Sequence, residues 1–229
     1  MSATSGSTTP PPHHTRSYRA IERRVDRWVH AIGVSAGLAG APTLAVIAFE
    51  RCGTLHRVSI GLYLVGLLAM LGFSAAYHLS HDGARREILR RFDHAAIFLL
   101  IAGTYMPFAA AHLGDARGVF LTALVWAIAV SGLAMKLVAG RRFEWLFVAV
   151  YLLLGWVEFL GLEPELGGLD PLVMRLIVVG GLLYTGGVAF HLWHRLDYHI
   201  ALWHTLVLAA AACHFAAVLM GVALADCAA

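Results

Sequence analysis

Apolar residues fall into seven stretches of about 18 to 23 residues, near 27–49, 58–80, 93–112, 117–138, 143–160, 172–193 and 201–223, separated by short polar breaks. A helix rising 1.5 Å per residue needs about 20 such residues to cross a hydrocarbon layer of roughly 30 Å. The pattern therefore predicts an all-α integral membrane protein, a seven-transmembrane-helix bundle. The breaks at 81–92 and 139–142 are set by arginine clusters rather than by Gly or Pro. Glycines inside the spans, at Gly33 and Gly37 and in the pairs Gly180-Gly181 and Gly186-Gly187, are expected to let helix backbones approach closely. Pro42 and Pro107 also fall inside spans, where a kink would open space for neighbouring helices or water.

Ahead of the first span, residues 1–25 are rich in Ser, Thr, Pro and Arg and carry no apolar core like that of a secretory signal. They read as a disordered cytoplasmic tail, and residues 26–225 as the membrane domain. His13 and His14 lie in that tail, where no fold would hold a metal geometry.

Composition agrees with the pattern. Of 229 residues, 59% are hydrophobic and 14% charged, too few charges to cover the surface of a soluble core. Their placement orients the chain. Thirteen basic residues (the run from Arg16 to Arg27, the Arg85–Arg91 cluster, Lys136, Arg141, Arg142 and Arg195) fall on the side of the N-terminus, against Arg51, Arg57, Arg117 and Arg175 on the other. Because positive charge resists translocation, the N-terminus is expected in the cytoplasm and the C-terminus outside the cell membrane. The net charge of +3 is spread between spans, which excludes nucleic acid as a partner. Cys52, Cys213 and Cys227 form no CxxC and no even set. Neither a disulfide framework nor a thiolate zinc site is expected, and all three read as small apolar residues.

Ionisable side chains at membrane depth are costly, so each is a functional candidate. His30, His78, Asp93, His94, Lys136, His191, His199 and His204 all fall toward the cytoplasmic leaflet. Only His214 lies near the centre, about 15 Å along its helix from His204. Ser74 and His78 are four residues apart and share a helix face. Asp93 and His94 are neighbours, about 100° apart around the axis, so one of them faces the same centre, and Asp93 is the choice. Imidazoles from two spans with a carboxylate at one depth suit Zn²⁺, leaving a fourth position for water. His30, His56, His81, His112 and His214, taken singly, read as helix-to-helix hydrogen-bonding residues. Arg85, Arg86, Arg90 and Arg91 read as anchors to anionic headgroups.

The strings FSAAYH, RRFDHAAIFLLIAGTYMPF and LWHTLVLAAAACHFAAV resemble the haemolysin III family, the bacterial relatives of the progestin and adipoQ receptors in a wider group that includes alkaline ceramidases. His30, following Asp26 in RRVDRWVH, fits that family's first-span histidine. The resemblance implies seven helices, a cytoplasmic N-terminus and a zinc site near the cytoplasmic face. Ser74, His78, Asp93 and His204 correspond to its residues, Asp93 holding the metal's water rather than ligating. One departure stands out. The family has histidines at i and i+4 opening its last span, whereas YHIALWH places Ile200 four before His204 and His199 five before. On a regular helix His199 lies about 140° from His204, so it joins as a ligand only if the turn there is non-helical.

Three functions compete. The first is hydrolysis of a membrane lipid amide, with zinc-activated water as nucleophile, Asp93 as general base and Ser74 steadying the oxyanion. The second is a receptor or regulator with a structural zinc. The third is a lytic pore, against which stands the almost wholly apolar central layer.

Overall fold

The computed structural model describes residues 13–80, 83–110, 113, 116–161, 169–225 and 227, with side chains from Ala20 onward except those of 158–161. Among the described residues the chain is helical, with no strand. The helices are α1 (His13–Arg51), α2 (Thr54–Leu79), α3 (Ala84–Ala109), α4 (Ala116–Ala139), α5 (Glu144–Gly161), α6 (Pro171–Leu192) and α7 (His199–Val218), the last running on into a π-helical turn, Leu219–Ala223. Each carries most of one of the seven apolar stretches. Six are long and apolar enough to cross a membrane, whereas the apolar part of α5 among described side chains, Glu144–Val157, is shorter. The protein is a helical membrane bundle.

At the N-terminus, residues 1–12 of the expected tail lie outside the described residues, and 13–25 fall within α1. Helix geometry continues past the point where hydrophobicity stops, so the apolar pattern locates the span rather than the helix end. The side chains of His13 and His14 are outside the described set.

The expectation that arginine clusters rather than glycine make the breaks is corrected. Gly83, just before α3, has φ 132°, and Gly140, just after α4, has φ 61°, conformations that L side chains adopt only at a cost. The arginines around them continue the helices or pair across the turn. Arg90 is buried and bonds Glu87 at 2.8 Å and Glu144 at 2.6 Å, tying α3 to the start of α5. Arg91 donates to the Leu137 carbonyl on α4 at 3.0 Å, and Arg86 lies over the Tyr77 ring. Arg90 is thus an internal strut rather than a headgroup anchor, because the adjacent carboxylates outcompete lipid for it.

Helices α2 and α3 approach to backbone contact. A Cβ added at Gly66 would meet the Leu99 carbonyl oxygen at 2.8 Å, and one at Gly103 the Leu62 carbonyl oxygen at 2.9 Å. Each glycine seats the other helix's backbone, as small residues do in lipid. Gly33 and Gly37, singled out from sequence, face the side chains of Leu71 and Leu208 instead. One apolar cluster joins α1, α2, α3 and α7 around Leu44, Ile60, Tyr63 and Val218, and a second joins α3, α4 and α5 around Phe98, Val125 and Phe147.

The cysteine expectation is corrected as well. Cys52, just beyond α1, forms a disulfide with Cys227, 175 residues away, while Cys213 is free. The π-helical turn packs on α1, so the end of α1 and the segment after α7 meet on the face opposite the polar end of the bundle.

Candidate metal centre

Asp26 and His30 are one helical turn apart on α1, a spacing that puts them on one face. His78 is at the last turn of α2 and His204 in the second turn of α7. These helices pack together, and four side chains meet between them. Each offers one ligand atom, and the four atoms lie within 4.8 Å of one another. His204 Nδ1 is 2.6 Å from Asp26 Oδ1, His78 Nδ1 is 3.1 Å from Asp26 Oδ2, and His30 Nε2 is 3.6 Å from the same oxygen. The three rings are mutually packed, with centroids 4.4 to 4.9 Å apart. Asp26, His30 and His204 are buried and His78 nearly so.

A carboxylate with three imidazoles away from water is expensive unless each polar atom is satisfied. Asp26 is satisfied, accepting from His204 and facing the other two rings. His30 Nε2 is not: it is shielded from solvent and has no hydrogen-bond partner. An orphaned nitrogen aimed into a set of three N donors and one O donor is what a tetrahedral metal site presents before the ion is added. In a zinc shell with bonds of 2.0 to 2.1 Å, ligand atoms sit about 3.3 Å apart, within small side-chain adjustments of the observed spread. The residues fit a metal ion.

The expected residues fall in three places. His78 and His204 are in the group. Asp93 and Ser74 stand beside it, on the same cavity wall as His78 and His204. Both line a cavity that opens onto the group. His94 is outside the group of four but lines the same cavity, its Nδ1 2.8 Å from the Arg90 carbonyl and 3.6 Å from the Asp93 carboxylate. His199 is outside the group. Tyr198 has φ 60°, so α7 begins at His199, and the ring packs against His194, with centroids 5.6 Å apart. The irregular turn exists, but it sends His199 toward the α6–α7 connection. Ile200, where the family's usual histidine would be, lines the cavity. Donors come from α1 instead.

Asp26 and His30 were not placed at the centre by sequence reasoning. The signal was available: DRWVH has the same i, i+4 spacing as the Ser74–His78 pair. Taken singly His30 reads as a hydrogen-bonding histidine, whereas together with Asp26 one turn before it the pair presents two ligand atoms on one helix face.

The cavity measures about 400 Å³ and lies between α2, α3, α5, α6 and α7. Its polar end holds His78, His204, Asp93 and Ser74, with Arg90, Arg141 and Glu144 at the same end. The remainder is lined by apolar and aromatic side chains such as Ile97, Leu152, Trp156, Ile177 and Val207, as far as His214.

Comparison with known proteins decides the family. The Haemolysin-III related family matches residues 18–215. The chain belongs to the haemolysin III family. It is similar to the Hemolysin-3 homolog of Bacillus subtilis (strain 168), 33% identical over 190 residues covering 83% of this chain and 89% of the relative. It is also similar to Hemolysin-3 of Bacillus cereus, 32% identical over 190 residues, or 83% of this chain and 87% of that one. The human Monocyte to macrophage differentiation factor is a distant relative, 22% identical over 203 residues, 86% of this chain and 83% of that protein. No solved structure matches. The family match spans Asp26, His30, Ser74, His78, Asp93 and His204, so every side chain of the centre lies within the shared region.

Proposed function

We propose that this haemolysin III family protein is a zinc-dependent hydrolase of membrane lipid amides, working at the cytoplasmic side of the cell membrane. The observation that carries the reading is the continuity between the Asp26–His30–His78–His204 group and an apolar cavity with a carboxylate and a hydroxyl at its polar end. A lone structural metal has no need of a lipid-sized hollow beside it. Asp26, His30, His78 and His204 would hold the zinc, whose chemistry when bound is to polarise a carbonyl and to make water a nucleophile near neutral pH.

The chain's own residues supply the rest. Asp93 is a carboxylate at the cavity wall beside the metal group, positioned to take a proton from water and return it to a leaving amine. Ser74, on the same wall, has a hydroxyl that can turn toward a developing oxyanion. The apolar walls orient an acyl chain and exclude water from its length.

The orientation proposed is N-terminus in the cytoplasm and C-terminus outside, across seven spans including α5. The Cys52–Cys227 disulfide supports it independently of charge. Disulfides persist where the environment is oxidising, and this one joins the α1 end to the C-terminal segment, on the face away from the Arg-rich turns.

The test is metal content and turnover in the same preparations. Purified protein should carry one zinc per chain and release fatty acid from an N-acyl lipid, read by mass spectrometry. Asp93→Asn should keep the zinc and lose about 10²-fold or more in turnover. Zinc retained with no turnover of any N-acyl lipid would reject the hydrolase and leave a metal that ties α1, α2 and α7 together.

A further inference from the structure

The polar end of the cavity carries charge that the metal group does not use. Apart from histidines, the charged side chains lining it among the described residues are Arg90, Asp93, Arg141 and Glu144. Arg90 is occupied inside the protein. Its side chain is 5% exposed, and its donors reach Glu87 at 2.8 and 3.1 Å and Glu144 at 2.6 Å. Arg141 differs: its side chain is 71% exposed, and it reaches Glu87 through Nε at 3.4 Å. A side chain that lines a cavity and yet stands mostly open marks a place where the cavity meets its surroundings, and a ligand entering there meets its guanidinium.

The ion pairs around Arg141 do not balance. Arg90, Arg91 and Arg141 all approach Glu87, Arg91 at 3.7 Å, and Glu144 is the second carboxylate. A guanidinium stays protonated throughout the physiological range, so three positive charges share two negative ones. Asp93 does not offset the excess, because it stands beside the metal group, where a divalent ion on Asp26 and three neutral imidazoles would leave one positive charge of its own. The backbone gathers these cations. Gly140 has φ 61°, and a Cβ there would meet the Arg91 guanidinium at 3.3 Å, so Arg91 lies against the turn from which Arg141 extends. Glu87 has both oxygens nearer to Arg90, which makes Arg141 the most loosely held of the three.

We propose that the lipid taken by this cavity carries an anionic group, a carboxylate or a phosphate, on its amine side, and that Arg141 pairs with it where the cavity opens. A guanidinium fork matches either anion bidentately, so the two share one chemistry. The two ends of the cavity set the direction of the ligand. Its apolar remainder takes the acyl chain, the amide carbonyl lies by the metal group, and the amine side is left toward Arg141. The inference deepens the lipid-amide reading and rests on it for the position of the carbonyl.

The experiment is competitive binding to the full-length protein in uncharged detergent, with three probes that share one acyl chain. N-hexadecanoylethanolamine is neutral, N-hexadecanoylglycine carries a carboxylate, and N-hexadecanoylphosphoethanolamine carries a phosphate. Wild type should bind at least one anionic probe about fivefold more tightly than the neutral one, the upper range for an exposed ion pair, and the probe preferred tells carboxylate from phosphate. Arg141→Gln should remove that preference and bind the neutral probe unchanged. Arg141→Lys, which keeps the charge without the fork, should retain part of it, and Arg142→Gln, at the exposed neighbouring position, should retain all of it. Wild type without a preference, a preference that survives Arg141→Gln, or one lost equally in Arg142→Gln would each overturn the inference. So would selective displacement of the anionic probes by phosphatidylglycerol, which has no amide, because that marks a bilayer-headgroup site. Turnover of the same probes separates the two ideas: turnover without charge preference sinks this inference alone, and charge preference without turnover sinks only the hydrolase.

Discussion

Asp26 is the residue on which the metal centre turns. Its two oxygens face imidazoles from three helices, His30 on α1, His78 on α2 and His204 on α7. Alanine at His78 or His204 should cut bound zinc, measured by plasma mass spectrometry of washed protein, by at least about tenfold. Alanine at Asp26 or His30 should do the same, and His199→Ala should leave it unchanged. Retention of zinc in the Asp26 and His30 variants together with its loss in His199→Ala would restore the arrangement expected from sequence. His199 is the histidine nearest to the i−4 position, which Ile200 occupies. Its direction is set by the left-handed Tyr198 before it, a backbone feature that residue types alone do not reveal.

At the level of helices, the site depends on how closely α2 and α3 lie. His78 is carried by one and Asp93 by the other, and the Gly66 and Gly103 contacts hold the pair at backbone distance. Gly66→Ala or Gly103→Ala should destabilise the bundle by about 1–3 kcal/mol, seen as a lower melting temperature in detergent. Either should also weaken turnover more than zinc retention, because the metal group spans α1, α2 and α7 whereas Asp93 is on α3. Gly186→Ala, with no atom within 4 Å of its added Cβ, is the control and should be near neutral. The glycine-rich look of the spans was legible, but not which glycines face backbone. That depends on the rotation of each helix about its axis, which a nearly uniform apolar sequence does not encode.

For the molecule as a whole, the Asp26–His30–His78–His204 group and the disulfide lie at opposite ends and both close the bundle, one through α1, α2 and α7 and the other by joining the end of α1 to the segment after α7. Zinc removal by a chelator should therefore lower the melting temperature by several degrees, since an ion bound only by the folded state stabilises it by mass action. Readdition of zinc should restore it. In intact cells, Cys52 and Cys227 of protein trapped with a thiol-blocking reagent should be oxidised. A membrane-impermeant thiol reagent should label them only after reduction from outside. Labelling confined to inside-out vesicles would reverse the proposed orientation.

Hydropathy alone was enough to specify helices, membrane and approximate spans, because lipid demands a long apolar run for each crossing and a run is a local property. It also carried His78 and His204 to one depth, since depth follows from position within a run. Which side chains converge at that depth was a matter of tertiary structure. Asp26 reaches His204 across 178 residues, and Cys52 reaches Cys227 across 175. The cavity exists only between helices far apart in the chain. Such meetings depend on helix order, rotation and separation, which are settled by packing among many near-equivalent apolar faces. The folded bundle therefore brings Asp26 and His30, and not His199, up to His78 and His204.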